Sequence, residues 1–175
     1  MTTPTIGIFG GHDVRETDVA YHHARAVGGV LAGLGYAVAN GGYGGTMEAS
    51  ARGAKEAGGR TVGVTCRVWA SPPNRFMDEI IQTADLFECA QRLLEVGRGG
   101  FVVLPGGTGT LVELAMAWEL LATRQVPPRP LVCMTSFWRP VLELMIRQKP
   151  RLSDLVSMAE SPGELGKYFP RRLDC

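Results

Sequence analysis

Three apolar runs of this chain end in glycine, and that feature most narrows what the chain can fold into. TIGIF at 5–9 leads into Gly10-Gly11. YAVA at 36–39 leads into Asn40-Gly41-Gly42, with Gly44-Gly45 close behind. FVVL at 101–104 leads into Pro105-Gly106-Gly107, with Gly109 beyond. Each run is followed by helical spacing. Over 16–34 the residues Val19, Ala20, Ala24, Val27, Val30, Leu31 and Leu34 share one broad face. A second helix is predicted over about 45–57, stopped by Gly58-Gly59, and another from 109 to about 124. The same reading gives strands at 61–65, 79–83 and 131–134 and helices at 85–97 and 137–148. An irregular loop with Pro72-Pro73 covers 67–77, and the tail holds a weak strand at 155–158 and a helix at 161–169.

Repeated strand–helix units predict a parallel sheet with helices on both faces. The strands read as uniformly apolar, as they must when both faces of the sheet are covered. The expected fold class is therefore α/β, a doubly wound Rossmann-like sheet. The length of 175 residues suits one nucleotide-binding domain over 1–175. In such a fold a ligand sits at the carboxyl ends of the strands, beside a topological switch point. Many of the 23 glycines gather at those predicted ends.

Composition removes several classes of partner. The formal charge of +1 gives no electrostatic case for nucleic acid or an anionic membrane. No apolar run is long enough to span a bilayer. The stretch MTTPTIGIFGG has no charged leader region and enters a strand almost at once, so a cytoplasmic location is expected. Cys66, Cys89, Cys133 and Cys175 form no CxxC pair and no metal-ligand spacing with histidine. They read as reduced thiols, with Cys133 in the core, and neither a metal nor a cofactor is expected. Adjacent His22 and His23 read as solvated helix residues, whereas His12 follows the first strand in a glycine loop and is a candidate contact.

PGGTGTLVE at 105–113 joins a buried strand to a helix start. Unpaired N–H groups and a partial positive charge belong to a first helical turn. Glycines let an anion reach those groups, and Thr108 and Thr110 add hydroxyls, so the stretch describes a phosphate cradle. It lacks the GK[ST] of a triphosphate loop and the GxGxxG of a dinucleotide loop. A monophosphate fits better. Thr110-x-x-Glu113 is equally a capping box, which leaves Glu113 with a structural reading beside the functional one. NGGYGGTMEASARGA at 40–54 repeats the pattern, with Thr46 and Met47 in the first turn; Gly45, Ala49, Ala51 and Gly53 also suit close helix packing.

These two stretches resemble the LOG ("Lonely Guy") family, often labelled lysine decarboxylase-like. Residues 105–113 match its PGGxGTxxE motif, and Trp118 lies in the following helix as expected. The resemblance covers about 5–147. It implies hydrolysis of the N-glycosidic bond of a nucleoside 5′-monophosphate, giving free base and ribose 5-phosphate. It further implies a homodimer, which the apolar circumference of the helix at 109–124 suits. The candidate site comprises Gly10, Gly11, Gly41, Gly42, Gly45, Met47, Pro105, Gly106, Gly107, Thr108, Gly109 and Thr110 around the nucleotide, with Glu113 catalytic, and adds His12 and Arg92 as this chain's own candidates for a nucleotide contact and an assisting catalytic role. Relatives with similar loops are nucleotide or molybdenum-cofactor carriers, which gives a non-catalytic alternative. A decarboxylase of the labelled kind needs a buried lysine for pyridoxal phosphate. Lys55, Lys149 and Lys167 all lie in polar stretches.

The chain departs from the family at two places. Cys89 stands where the family carries an arginine, in DLFECAQRLLEVG at 85–97, and Arg92 three residues on is the candidate substitute. The first loop, IFGGHDV, lacks the family's serine, leaving His12 or Asp13 for that contact.

Overall fold

A computed structural model describes residues 3–172. Seven parallel strands form one sheet: β1 (Thr5–Phe9), β2 (Ala37–Asn40), β3 (Thr61–Cys66), β4 (Glu79–Thr83), β5 (Gly100–Val103), β6 (Leu131–Met134) and β7 (Ser157–Ala159). Their order is β4-β3-β2-β1-β5-β6-β7. The chain winds outward from β1 in one direction, then returns to pair β5 with β1 and winds outward in the other. The switch point thus lies between β1 and β5, where Phe9 is in register with Val103.

Helices cover both faces, as the apolar strands require. On one side α1 (Val19–Gly33) and α2 (Thr46–Glu56) pack through Tyr21, Ala24, Val27, Leu31 and Ala49 onto Ile6, Ile8, Val38 and Val102. On the other, α3 (Leu86–Val96), α4 (Thr108–Ala122) and α5 (Arg139–Gln148) bury Leu93, Leu114, Trp118 and Leu142 against Phe9, Val64, Phe101 and Cys133. Neighbouring strands contribute the stacked pair Phe9 and Phe101, centroids 5.3 Å apart. Helices α1 and α2 pack backbone to backbone. A Cβ on Gly28 would collide with the Ser50 carbonyl, and one on Gly53 with the Arg25 carbonyl.

Several expectations need correction. Strand β4 is not apolar throughout. Glu79, Ile80 and Gln82 are exposed because β4 is an edge strand with no neighbour on one side. The weak strand lies at Ser157–Ala159, and the tail helix is a 3-10 segment, Pro162–Lys167, held by a capping box of Ser161 and Glu164. His23 is not solvated: its Nε2 is buried without a partner, and burial lowers its pKa, while His22 is exposed. Cys66, Cys89 and Cys133 are buried free thiols, and Cys175 lies outside the described residues. The three lysines are all exposed.

Candidate functional site

The three glycine loops meet at the carboxyl ends of β1, β2 and β5. Gly11 N–H donates to the Pro105 carbonyl at 3.3 Å, tying the first loop to the third. Thr46 donates both its N–H and its hydroxyl to the Gly11 carbonyl, each at 2.9 Å, tying the second loop to the first. Below them, Leu104 N–H donates to Phe9 O at 2.8 Å, and the buried Trp138 indole N–H donates to Leu104 O at 3.0 Å. Asn40, fully buried, organises the second loop. Its Oδ1 accepts Gly42 N–H at 2.8 Å, and its Nδ2 donates to Met47 O at 2.9 Å and to Ser50 Oγ at 3.1 Å. The Asn40-Gly41-Gly42 spacing carries this turn, since an asparagine side chain readily bonds backbone two residues on.

The glycines divide into two groups. Some are fixed by the protein itself. Gly42 and Gly45 have φ of +77° and +66°, which side-chain-bearing residues avoid. A Cβ on Gly10 would strike Thr46, one on Gly41 would meet Met47 Sδ at 2.7 Å, and one on Gly106 would strike Thr110. Gly11 faces Gly106 across a narrow gap, with 3.3 Å from a Cβ to the Gly106 Cα. The other group is different. A Cβ on Gly44, Gly107 or Gly109 would meet nothing within 4 Å, and none has a positive φ. Neither packing nor backbone conformation demands glycine there. These positions leave the start of α4 and the face of the second loop bare.

Helix α4 begins at Thr108, with Gly107 as its N-cap and, among the described residues, no side chain bonded to its first-turn N–H groups. Thr110 and Glu113 therefore do not form a capping box. The helix starts three residues earlier than that box requires, which places Glu113 about a turn and a half inside it. Thr108 is exposed and Thr110 buried. Glu113 is partly exposed, with no hydrogen-bond or ion-pair partner among the described residues. Loss of water around its carboxyl pushes its pKa up to about 8.

Cys89, expected where the resemblance places an arginine, is buried, and its thiol donates to Val64 O at 3.2 Å. Burial, aided by the charge on Glu113, pushes that thiol up to about 11, so it stays neutral. Arg92 is not brought to Glu113. Its guanidinium pairs with Glu95 at 2.7 Å on the exposed side of α3. A three-residue step moves it off the buried stripe of Cys89, Ala90, Leu93 and Leu94. His12 and Asp13 are exposed at the rim and pair with each other at 3.0 Å. Among the described residues no three of His, Cys, Asp and Glu gather where they could hold a metal ion, and no helix is long and apolar enough to cross a membrane.

One structural contact was not legible in the sequence. The loop after β3 folds onto the second glycine loop, where Asn74 Nδ2 donates to Gly42 O at 3.0 Å and to Tyr43 O at 2.8 Å. No periodicity marks a residue whose partner lies over thirty positions away.

Sheet and loops together define a doubly wound α/β protein with a glycine-lined, uncapped helix start at its switch point. The chain belongs to the SLOG cluster4 family, whose family model matches residues 3–156. It is 40% identical over 98 residues to a Mycobacterium tuberculosis protein named cytokinin riboside 5′-monophosphate phosphoribohydrolase, covering 54% of this chain and 52% of that one. It is 30% identical over 115 residues to an Escherichia coli protein named pyrimidine/purine nucleotide 5′-monophosphate nucleosidase, covering 61% of this chain and 25% of the relative. The chain thus spans about half of the first relative's length and a quarter of the second's. Among solved structures it is similar in fold to a molybdenum cofactor binding protein from Rippkaea orientalis, with TM-score 0.77, 24% identity and 95% of each chain covered. It is also similar to a molybdenum cofactor carrier protein from Chlamydomonas reinhardtii, with TM-score 0.68, 25% identity, and 93% of this chain and 92% of that one covered.

Proposed function

We propose that this protein hydrolyses the N-glycosidic bond of a nucleoside 5′-monophosphate. The observation that carries the reading is the pair of bare glycines, Gly107 and Gly109, beside the uncapped first turn of α4. A phosphate there meets backbone N–H groups and the Thr108 hydroxyl. Each charge-assisted bond contributes about 1.5–3 kcal/mol. That binding fixes the sugar over Glu113, one and a half turns along the same helix. Cleavage leaves the base with the bonding electron pair and builds positive charge on the ribose. The ionised Glu113 carboxyl stabilises that charge and orients the attacking water, whose oxygen bonds to the ribose C1′ while its proton passes to the departing base. Loss of the family arginine leaves Glu113 without a cation to keep it ionised, so the active form is the deprotonated one above about pH 8.

The exposed apolar residues at the starts of α3 and α4 support a homodimer. Phe87 is 80% exposed, with Leu86, Leu111 and Val112 also open on the same helix layer. A second copy of the chain would cover them beside the site.

Cys89 favours a second reading, a carrier that holds a phosphorylated ligand without cleaving it. A panel of nucleoside 5′-monophosphates separates the two. Free base and ribose 5-phosphate in equal amounts support the hydrolase; saturable binding with no base released supports the carrier.

A further inference from the structure

Three tryptophans occur in the chain, and two are explained by packing. Trp118 and Trp138 are buried, and their indole N–H groups donate to the carbonyls of Leu152 and Leu104. Trp69 is different. It is 48% exposed, and among the described residues its indole N–H has no partner. It sits just past the carboxyl end of β3, on the ligand-facing edge of the sheet, with its backbone N–H donating to Cys66 O at 3.2 Å.

The ring of Trp69 is held in place. It meets the Tyr43 ring edge-on, centroids 5.3 Å apart at 79°. Tyr43 lies within NGGYGG and is itself locked, its hydroxyl bonding both the N–H and the carbonyl of Cys66 at 2.9 Å. Asn74 closes the loop behind it by bonding Gly42 and Tyr43. The indole therefore stands open to solvent against the Tyr43 ring and is fixed by the same loop that contributes to the site.

From β5 to β3 is three steps across the sheet, through β1 and β2. At the usual strand spacing that is about 14 Å. An extended nucleotide anchored at Gly107 and Gly109 by its phosphate would carry its base toward β3. We propose that Trp69 is the base platform of this site, and that a planar heteroaromatic base stacks on its exposed indole. The proposal rests on the nucleotide reading above. Stacking of this kind tolerates different bases, since every base offers a π-face, so the platform predicts a preference for a base over none rather than for one base.

The test compares adenosine 5′-monophosphate with ribose 5-phosphate, which keeps the phosphate and sugar but lacks the base. Calorimetric titration is run on the wild type, Trp69→Ala and Trp69→Phe. Trp69→Ala is expected to weaken the nucleotide by about 5- to 150-fold, with ribose 5-phosphate unchanged and Trp69→Phe restoring most of the loss. Wild type that binds both ligands, with Trp69→Ala leaving nucleotide affinity unaltered, overturns the platform alone. Equal weakening of both ligands in Trp69→Ala also overturns it, since the residue then acts through the fold. Wild type that binds neither ligand overturns the nucleotide reading and the platform with it.

Discussion

The Gly11 amide donates to the Pro105 carbonyl across the switch point between β1 and β5. With Thr46 bonded twice to the Gly11 carbonyl, that contact turns three loops far apart in sequence into one surface. The bare start of α4 lies at its edge.

Glycines at the site and glycines between helices should respond oppositely to the same substitution. Gly107→Ala and Gly109→Ala place a methyl in open space, so thermal stability should hold or rise slightly; Gly109 lies inside α4, where alanine is favoured by up to about 1 kcal/mol. Affinity for ribose 5-phosphate should fall about tenfold or more, because the methyl stands where the anion approaches. Gly28→Ala drives a methyl into the Ser50 carbonyl and should cost about 1–3 kcal/mol. Melting curves and titrations on the three variants check both halves.

Glu113 makes stability depend on pH in a definite direction. Its carboxyl has an ordinary value of 4.5 and stands at about 8 in the fold. Between those values the folded chain holds a proton that the unfolded chain releases. The stability associated with the neutral carboxyl is full below 4.5 and is lost as pH rises through about 8. Glu113→Gln is neutral throughout. Its melting temperature should gain on the wild type as pH rises through this window, by about 2–4 °C for each 1 kcal/mol. Parallel curves for the two proteins would contradict the raised value.

Asn40 holds the second loop by three bonds with no exposure to water. Asn40→Ala leaves the Gly42 N–H without its acceptor, a loss of about 1–3 kcal/mol when buried, while Met47 O keeps the Ser50 hydroxyl. Denaturant unfolding should show a clear loss of stability. Nucleotide affinity should fall further than ribose 5-phosphate affinity, since the second loop carries Tyr43 beneath the proposed base platform.

Charge placed on the exposed apolar face should break the proposed dimer. Phe87 is 80% exposed and holds no place in the core, so Phe87→Asp should leave the monomer folded. Sedimentation at micromolar protein should give a dimer for the wild type and a monomer for the variant. A monomeric wild type at that concentration would refute the assembly.

Much of the fold was legible because both its periods are simple. TIGIF at 5–9 and LVCM at 131–134 are strands at those bounds, since a strand covered on both faces must be apolar throughout. The edge strand β4 was located correctly but its exposure was not, because pairing order is not written in local sequence. At the site, glycine content marked the loops, yet it did not separate Gly106, required by Thr110, from Gly107, required by nothing in the protein. Helix start decided Glu113. A shift of three residues took it out of a capping box and left it partnerless inside α4. Arg92 shows the reverse limit. Three residues along a helix bring neighbours close but turn the side chain by a sixth of a circle, enough here to deliver it to Glu95. Trp69 lies in an aperiodic loop and acquires meaning only when β3 is seen beside β2.

The most direct test of the hydrolase is base release at about pH 8, measured beside binding, for the wild type and Glu113→Gln. The account predicts free base from the wild type, a loss of about 100-fold or more in the variant, and nearly equal nucleotide affinity in both, because the phosphate cradle is untouched. Tight binding by both proteins with no base from either would contradict catalysis and leave a carrier built on the same loops.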